Sequence, residues 1–353
     1  MAIYVGKNKV SRIYAGKQEI TNIFANRLSV GNAVGGNTIA DISTLNYVAA
    51  RSYTGDSYPI SRYGGAFFYP KDDGTRLVYT YADYNTHSQR YVDLSTAWDF
   101  STVGSSTNSS AINLSNHYQT TLYVTEDGTK LFTGGYSNSY ASGWDDIYKS
   151  TLTSAWDPTG NTWTTYGTNP RSTWNSHTSY TILGWKDDGT KWLMGTTVNA
   201  SGTQNNYYQY IKEYSTSTAW DQTASNQTLN NTFDLGSALG VSSYYVSGNG
   251  TTVGVRAMNR AGTQIIAQTV DYTSSSITAY KFYLVNLSTP FNLSTATVDS
   301  SKYLDLASVH AAGSNFGIND VKFGKNDLEI IVGQGSGTYG QSNGIKGRWL
   351  VYA

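Results

Sequence analysis

The sequence contains no cysteine, which excludes disulfides and thiolate metal sites. Proline is scarce, with five in 353 residues, and charged residues make up only 14% with a formal net charge of zero. Without a basic field there is no electrostatic basis for binding nucleic acid or an anionic membrane. No apolar run approaches the roughly 18 residues of a membrane-spanning helix, so no membrane insertion is expected. The opening residues, MAIYVGKNKV, lack the basic and apolar regions of a secretory signal. The expected route is synthesis in a cytoplasm, then retention there or release by assembly or lysis. No window shows sustained helical periodicity. What is abundant instead is Tyr (30), Gly (35) and Trp (9), with much Ser, Thr and Asn. Aromatics at 14% argue against disorder. Tyr, Thr and Trp favour strands while Gly, Asn and Ser favour turns, so the chain reads as nearly all β.

One pentapeptide recurs: STAWD at 95–99, TSAWD at 153–157 and STAWD at 217–221. A second word precedes each copy: FFYPKDDGTRLVYTY (67–81), LYVTEDGTKLFTGG (122–135) and LGWKDDGTKWLMGT (183–196). Weaker copies read YYVSGNGTTVGVRA (244–257) and VKFGKNDLEIIVGQ (321–334). Asp-Gly or Asn-Gly between β-rich runs is a strong hairpin signal, because glycine tolerates the positive φ that such turns demand. Each unit then reads hairpin, polar loop, third strand, STAWD turn and fourth strand. Four antiparallel strands, repeated, is the sequence form of a β-propeller. Units begin near 64, 119, 180, 241 and 317, which predicts five blades. The fifth unit lacks a fourth strand, and ADISTLNYVAARSY (40–53) resembles that strand with no hairpin before it. The ring is therefore expected to close by pairing this early strand with the last blade, which leaves no open edge at the join. The STAWD Trp is expected to pack between blades and the Asp or Ser to bond turn backbone. Three equivalent sugar platforms are the alternative, disfavoured by the little freedom of a regular turn.

Strand alternation puts the DGT and STAWD turns on one face. The opposite face carries the loops that differ between units, read as 81–89, 134–146, 196–209, 260–278 and 333–347. Their Tyr, Ser, Gly and Asn content suits a recognition surface of flat anchors and adaptable hydrogen bonds. The candidate ligand-binding residues are Tyr84, Tyr136, Tyr140, Trp144, Tyr207, Tyr208 and Tyr339. His117, His177 and His310 each precede a first strand, but their spacing varies and no carboxylate completes a ligand set, so no metal is expected; His87 stands alone. The pairs Asp72/Asp73 and Asp187/Asp188 are explained by the turns, and Asp145/Asp146 is the only pair on the variable face. No hydrolase, Walker or metalloprotease signature is present, so neither an enzyme nor a cofactor is expected.

Residues 3–30 follow a period of ten: IYVGKNKVSR, IYAGKQEITN, IFANRLSV. Ile3, Ile13 and Ile23 align, as do Tyr4, Tyr14 and Phe24, and then Val10 and Ile20. Each decade reads as a small hairpin, and thirty residues cannot bury their own apolar face. The segment is expected to meet a partner or copies of itself, with a trimer favoured. GNAVGGNTIA (31–40) reads as a flexible link, which sets the organisation at 1–32, 33–39 and 40–353.

These decades resemble the N-terminal segments of bacteriophage tail and virion-fibre proteins. The repeated DGT(K/R) hairpins with STAWD turns resemble repeat-rich phage structural proteins of propeller type. The resemblance implies a protein located in the virion, attached to other virion proteins through residues 1–32 and binding a bacterial surface polysaccharide. A non-catalytic capsid or tail decoration protein is the alternative it leaves open.

Overall fold

The second strand of each unit is buried on both sides, and that fixes the architecture. Leu77 to Thr80, Leu131 to Thr133, Trp192 to Met194, Ile265 to Ala267 and Ile330 to Val332 are runs of consecutive buried residues. A strand buried on both faces must be sandwiched between two other layers. The computed structural model meets this requirement with a ring of sheets. It describes residues 3–5, 8–10, 14–15, 18–19, 37–53, 67–83, 86–102, 107–112, 117–137, 147–159, 162–166, 180–199, 207–241, 244–246, 249–273, 276–306, 316–336 and 347–353.

The protein is all-β, with five sheets arranged as a five-bladed β-propeller. Blade one comprises Phe68–Pro70, Arg76–Asp83, Thr86–Asp93 and Thr107–Ile112. Blade two comprises His117–Val124, Lys130–Ser137, Ile147–Thr151 and Thr162–Tyr166. Blade three comprises Tyr180–Trp185, Lys191–Asn199, Tyr207–Thr216 and Gln227–Asp234. In blade four, Asn249–Met258, Gln264–Thr273 and Ser276–Leu287 are followed by a divided outer strand, Ala296–Val298 and Leu304–Asp305. Blade five comprises Phe316–Phe323, Ile330–Ser336 and Gly347–Tyr352, and Tyr47–Tyr53 completes it as the fourth strand.

The ring closes as expected. Trp349 pairs with Arg51 and Leu350 with Ala50, antiparallel. Asn46 and Ala353 exchange two backbone hydrogen bonds of 3.0 Å beyond the strand ends. The approach to the closing strand is also anchored. Ile39 donates its N–H to Gln264 Oε1 at 2.8 Å and accepts from Gln264 Nε2 at 2.8 Å, while Ile42 is buried. Asp41 caps the short turn Ile42–Thr44 and pairs with Lys302 of blade four.

The core is divided into layers, one in each gap between neighbouring blades. Val78 of blade one meets Leu122 and Leu131 of blade two, and Phe132 meets Trp185 and Trp192 of blade three. Leu193 and Ile211 meet Val255 and Ile265 of blade four, and Ile266 and Phe282 meet Val332 and Leu350 of blade five. Ile331 and Trp349 complete the circle against Phe68 and Tyr79 of blade one. The innermost strands are also tied by buried polar groups. Thr121 Oγ1 accepts the Ile182 N–H at 3.0 Å, and Asp320 Oδ2 accepts the Phe68 N–H at 3.0 Å.

The fourth unit differs from its sequence reading. The stretch at 244–251 does form a hairpin, Tyr244–Val246 paired with Asn249–Met258, but it is an added strand at the front of the blade. The turn equivalent to DGT is Asn259 to Thr263. Gly262 donates to the Asn259 carbonyl at 3.0 Å, as Gly74 does to Lys71 at 2.8 Å. Arg260 therefore lies on the turn face and not in a loop of the variable face.

In the N-terminal segment, Ile3–Val5 pairs with Asn8–Val10 and Tyr14–Ala15 with Gln18–Glu19, each pair a separate hairpin. Ile3, Tyr4, Val10 and Tyr14 are in these strands. Ile13, Ile20, Ile23 and Phe24 lie outside the described residues.

Candidate functional site

The two repeated words form one device on the turn face. In each of the first three blades the Trp of STAWD donates its backbone N–H to the Gly of DGT: Trp98 to Gly74 at 2.9 Å, Trp156 to Gly128 at 2.8 Å and Trp220 to Gly189 at 2.8 Å. Phe291 and Gly262 repeat the bond at 2.8 Å in blade four. The aromatic residues have positive φ (64°, 63°, 63° and 54°), as do the glycines. The ring lies directly on the glycine, so that a methyl carbon built on Gly128 would stand 2.1 Å from Trp156. Asp73, Asp127 and Asp188 accept the N–H of Thr75, Thr129 and Thr190 within the turn. The rings also reach the preceding blade: Trp156 stacks on Tyr69 at 6.2 Å and Trp220 on Phe132 at 6.2 Å. Asp157 and Asp221 accept turn N–H groups from Thr159 and Thr223. The STAWD word is thus architectural, and Trp156, at 5% exposure, is no sugar platform.

Where the inner strands converge on this face, the axis holds a small cavity of about 20 Å³. Tyr69, Tyr123 and Trp185 form walls, with Met258 and Phe291, while Asp72, Glu126, Asp187 and Arg260 supply polar groups. Asp72, Glu126, Asp187 and Arg260 occupy the same turn position in successive units, two residues before the glycine. Arg260 is a cross-axis tie: its Nε pairs with Asp72 of blade one, Nη1 with Asp327 of blade five at 3.3 Å, and Nη2 donates to the Pro70 carbonyl at 3.3 Å. Burial alone would lower the pKa of the guanidinium, but Asp72 and Asp327 more than offset it. Burial drives the Tyr69 hydroxyl well above its ordinary value, and the neighbouring Tyr123 adds to the effect. Sequence reasoning missed this group. Its signal was an acid before Asp-Gly in three units and a base in the fourth, visible only when the fourth unit is aligned at Asn259 to Thr263.

On the loop face the described residues give backbone positions. Tyr207 pairs with Asn199 and Tyr208 with Val198, so both stand at the end of the blade-three hairpin that runs toward this face. Tyr136 pairs with Tyr118, and His117 with Ser137, at the corresponding end of blade two. Tyr84, Tyr140, Trp144, Tyr339, His177 and His310 lie outside the described residues. Among the described residues no three His, Asp or Glu side chains group to hold a metal ion. The exposed large apolar side chains among them are scattered: Tyr47 and Val48 in the closing strand, Leu229, Tyr303 and Leu328 on three different blades.

No family model matches the chain, and no curated protein matches it. Solved structures do share its fold. An α-L-arabinofuranosidase of Podospora anserina superposes with a TM-score of 0.45 at 8% identity, over 90% of this chain and 98% of that one. The GH32 β-fructofuranosidase of Bombyx mori gives 0.48 at 10% identity, over 87% of this chain and 61% of that one. The β-propeller domain of the Trilobed protease of Pyrococcus furiosus gives 0.32 at 14% identity, over 76% and 63%. At such identities the likeness is one of fold alone. It nevertheless overturns one expectation. The missing hydrolase signatures were the ground for reading the chain as no enzyme; glycoside hydrolases stand among the solved structures similar to it in fold, and that reading is withdrawn.

Proposed function

We propose that this chain is a virion protein, a fibre or tail receptor-binding component, that engages a bacterial surface polysaccharide through the loop face of its propeller. The observation that carries the polysaccharide reading is the asymmetry of the disc. One face is built from turns locked by aromatic rings on glycines, and the other carries the divergent loops, with Tyr207 and Tyr208 at the end of the blade-three hairpin. Tyrosine rings stack on the C–H faces of sugars, while Ser, Asn and Gln bond the hydroxyls. Residues 1–32 attach the protein to other virion proteins and bring copies together, a trimer favoured. Two-stranded hairpins of two or three residues per strand are not stable alone, so this segment needs a partner. Weak sites suffice in such an arrangement: a millimolar site contributes about −4 kcal/mol, and multiple copies raise avidity by roughly 10² to 10⁴.

The test is binding of the full chain to a panel of bacterial polysaccharides and whole cells, with release of reducing ends followed in the same samples. Saturable binding is expected, competed by one glycan. Replacing Tyr207 and Tyr208 together by Ala is expected to abolish it while leaving the thermal transition in place. Retained binding in that variant would remove the hairpin from the site. Release of reducing ends would make the chain a hydrolase of its receptor.

A further inference from the structure

Residues 37–46 run along the turn face from blade four to blade five. Gln264, which Ile39 meets, directly follows the blade-four turn, and Tyr47 pairs with Tyr352 at the turn-face end of blade five. The chain before Asn37 therefore leaves the disc from the turn face, opposite the divergent loops. The closing strand is poorly placed to bear a pull from that side. It is the edge strand of its sheet, bonded only to Gly347–Tyr352, and its pairing is interrupted at Val48, which is 61% exposed. A pull arriving at Tyr47 would load its pairs from one end. The strand that receives Ile39 differs. Gln264–Thr273 lies between two partners, Asn249–Met258 and Ser276–Leu287. The buried Gln264 amide answers both the N–H and the C=O of Ile39 and also donates to Asn286 Oδ1 at 2.8 Å. Ile39 and Ile42 join the buried cluster that contains Ile266, Phe282 and Leu350. Asp41 adds an ion pair with Lys302 at 3.0 Å. Apolar burial, a two-point amide latch and an ion pair thus all fasten the segment before the closing strand begins.

We infer that residues 37–46 are a clasp that carries tension from the N-terminal arm into blade four and keeps it off the closing strand. On the attachment reading of residues 1–32, a partner holds the arm while the loop face holds the receptor, so tension crosses the disc from turn face to loop face. With the clasp closed, tension enters at Ile39, passes through Gln264 and follows the strand Gln264–Thr273 toward the loops. The join between the two ends of the chain then lies outside the path. With the clasp open, tension falls on Tyr47 and peels the strand that closes the ring.

The experiment is single-molecule pulling of the full chain, with one handle on the N-terminus and the other on Thr273→Cys, an exposed position at the loop end of blade four. The absence of native cysteine makes that handle unique. The readout is the lifetime at constant load, which the unfolding rate governs. Gln264→Leu keeps the side chain's bulk and removes both bonds to Ile39. It is expected to shorten the lifetime about tenfold or more, the effect of losing two ordinary hydrogen bonds. Asp41→Ala removes the Lys302 pair and the turn cap, and is expected to act in the same direction by a few-fold. It also keeps the test open should Gln264→Leu fail to fold. Load applied instead between Ala97→Cys, exposed on the blade-one turn, and Thr273→Cys follows a path without the arm. There Gln264→Leu is expected to leave the lifetime within about twofold of the parent. The proposal is overturned if both variants open as the parent does under load on the arm. It is equally overturned if Gln264→Leu shortens both lifetimes alike, because the amide then only supports the fold. The instrument holds the arm and the disc, so neither result depends on a polysaccharide. Glycan binding by the Tyr207/Tyr208 variant tests the receptor reading separately.

Discussion

Replacing Gly128 by alanine is expected to lower the unfolding free energy by about 3 kcal/mol. Two effects combine. Gly128 has φ +70°, where an L side chain costs about 1–2 kcal/mol. The added methyl would also stand 2.1 Å from Trp156, whose ring is held by its own backbone bond to Gly128 and by stacking on Tyr69. Such overpacking typically costs a further 1–3 kcal/mol. Two other glycines separate the contributions. Gly240 has φ +67° with nothing within 4 Å of a built Cβ, so Gly240→Ala is expected to cost only about 1–2 kcal/mol. Gly254 has neither the positive φ nor a neighbour within 4 Å, and alanine in its strand should leave stability unchanged or raise it by about 0.5–1 kcal/mol. Denaturant unfolding of the three variants gives the ordering directly. If Gly128→Ala proves no worse than Gly240→Ala, the ring-on-glycine contact is not what holds the turns.

The same contact explains which parts of the architecture were legible in the sequence. The DGT and STAWD words stand out because each holds the other in place, the glycine existing to receive the ring. Blade five makes the point by exception. Its third and fourth strands come from opposite ends of the chain, so no STAWD turn crosses its first hairpin. With no ring to receive, that hairpin needs no glycine at positive φ: Asn326 and Asp327 adopt it (55° and 59°), while the turn's Gly324 has φ −99°. The fourth unit was misread for a related reason. Asn249-Gly250 has the form of a hairpin signal and does lie in a hairpin, but at the blade's added front strand and not between its first two inner strands. The true turn is marked by Gly262 beneath Phe291, with Asn259 in the capping role, its Oδ1 accepting the Thr263 N–H at 2.8 Å. A search for Asp-Gly finds turns; a search for Gly paired with a later aromatic finds blades. The axial group was hidden by the same error, because Arg260 joins Asp72 and Asp187 only once the fourth turn is placed correctly. The two acid pairs had been ascribed wholly to the hairpins. That holds for Asp73 and Asp188, whose carboxylates bond the turn, whereas Asp72 pairs with Arg260 and Asp187 lines the axis. The closing strand was legible for a simpler reason: the fifth unit was short by one strand and the chain had one to spare.

Removing the carboxylate of Glu213 is expected to be as costly as disturbing the turns. Glu213 lies in the third strand of blade three with its side chain 1% exposed. It accepts from Lys191 at 2.7 Å, from Asn231 Nδ2 at 3.1 Å, and from the backbone N–H of Leu293 in blade four at 2.7 Å. The last bond crosses the gap between blades. Glu213→Ala would leave the Leu293 N–H and the Lys191 ammonium without their acceptor, and breaking a buried pair on one side typically costs about 3–5 kcal/mol. The pH dependence follows from the same bonds. Burial alone would raise the carboxyl's pKa, but Lys191, the Leu293 N–H and Asn231 together hold it below its ordinary value of 4.5. A group with a depressed folded-state pKa stabilises fully above its unfolded-state pKa, and that contribution is lost as the pH falls through the folded value. Glu213→Gln keeps the shape without the charge, so the stability gap between parent and variant should be widest near neutral pH. It should narrow on acidification below about pH 4, measured by denaturant unfolding at each pH. Other acids, such as Asp41 and Asp188, are depressed as well, but they titrate equally in both proteins and cancel in the difference. A gap that stayed constant with pH would mean that Glu213 stabilises the blade junction through shape and neutral hydrogen bonds alone, and not through its charge.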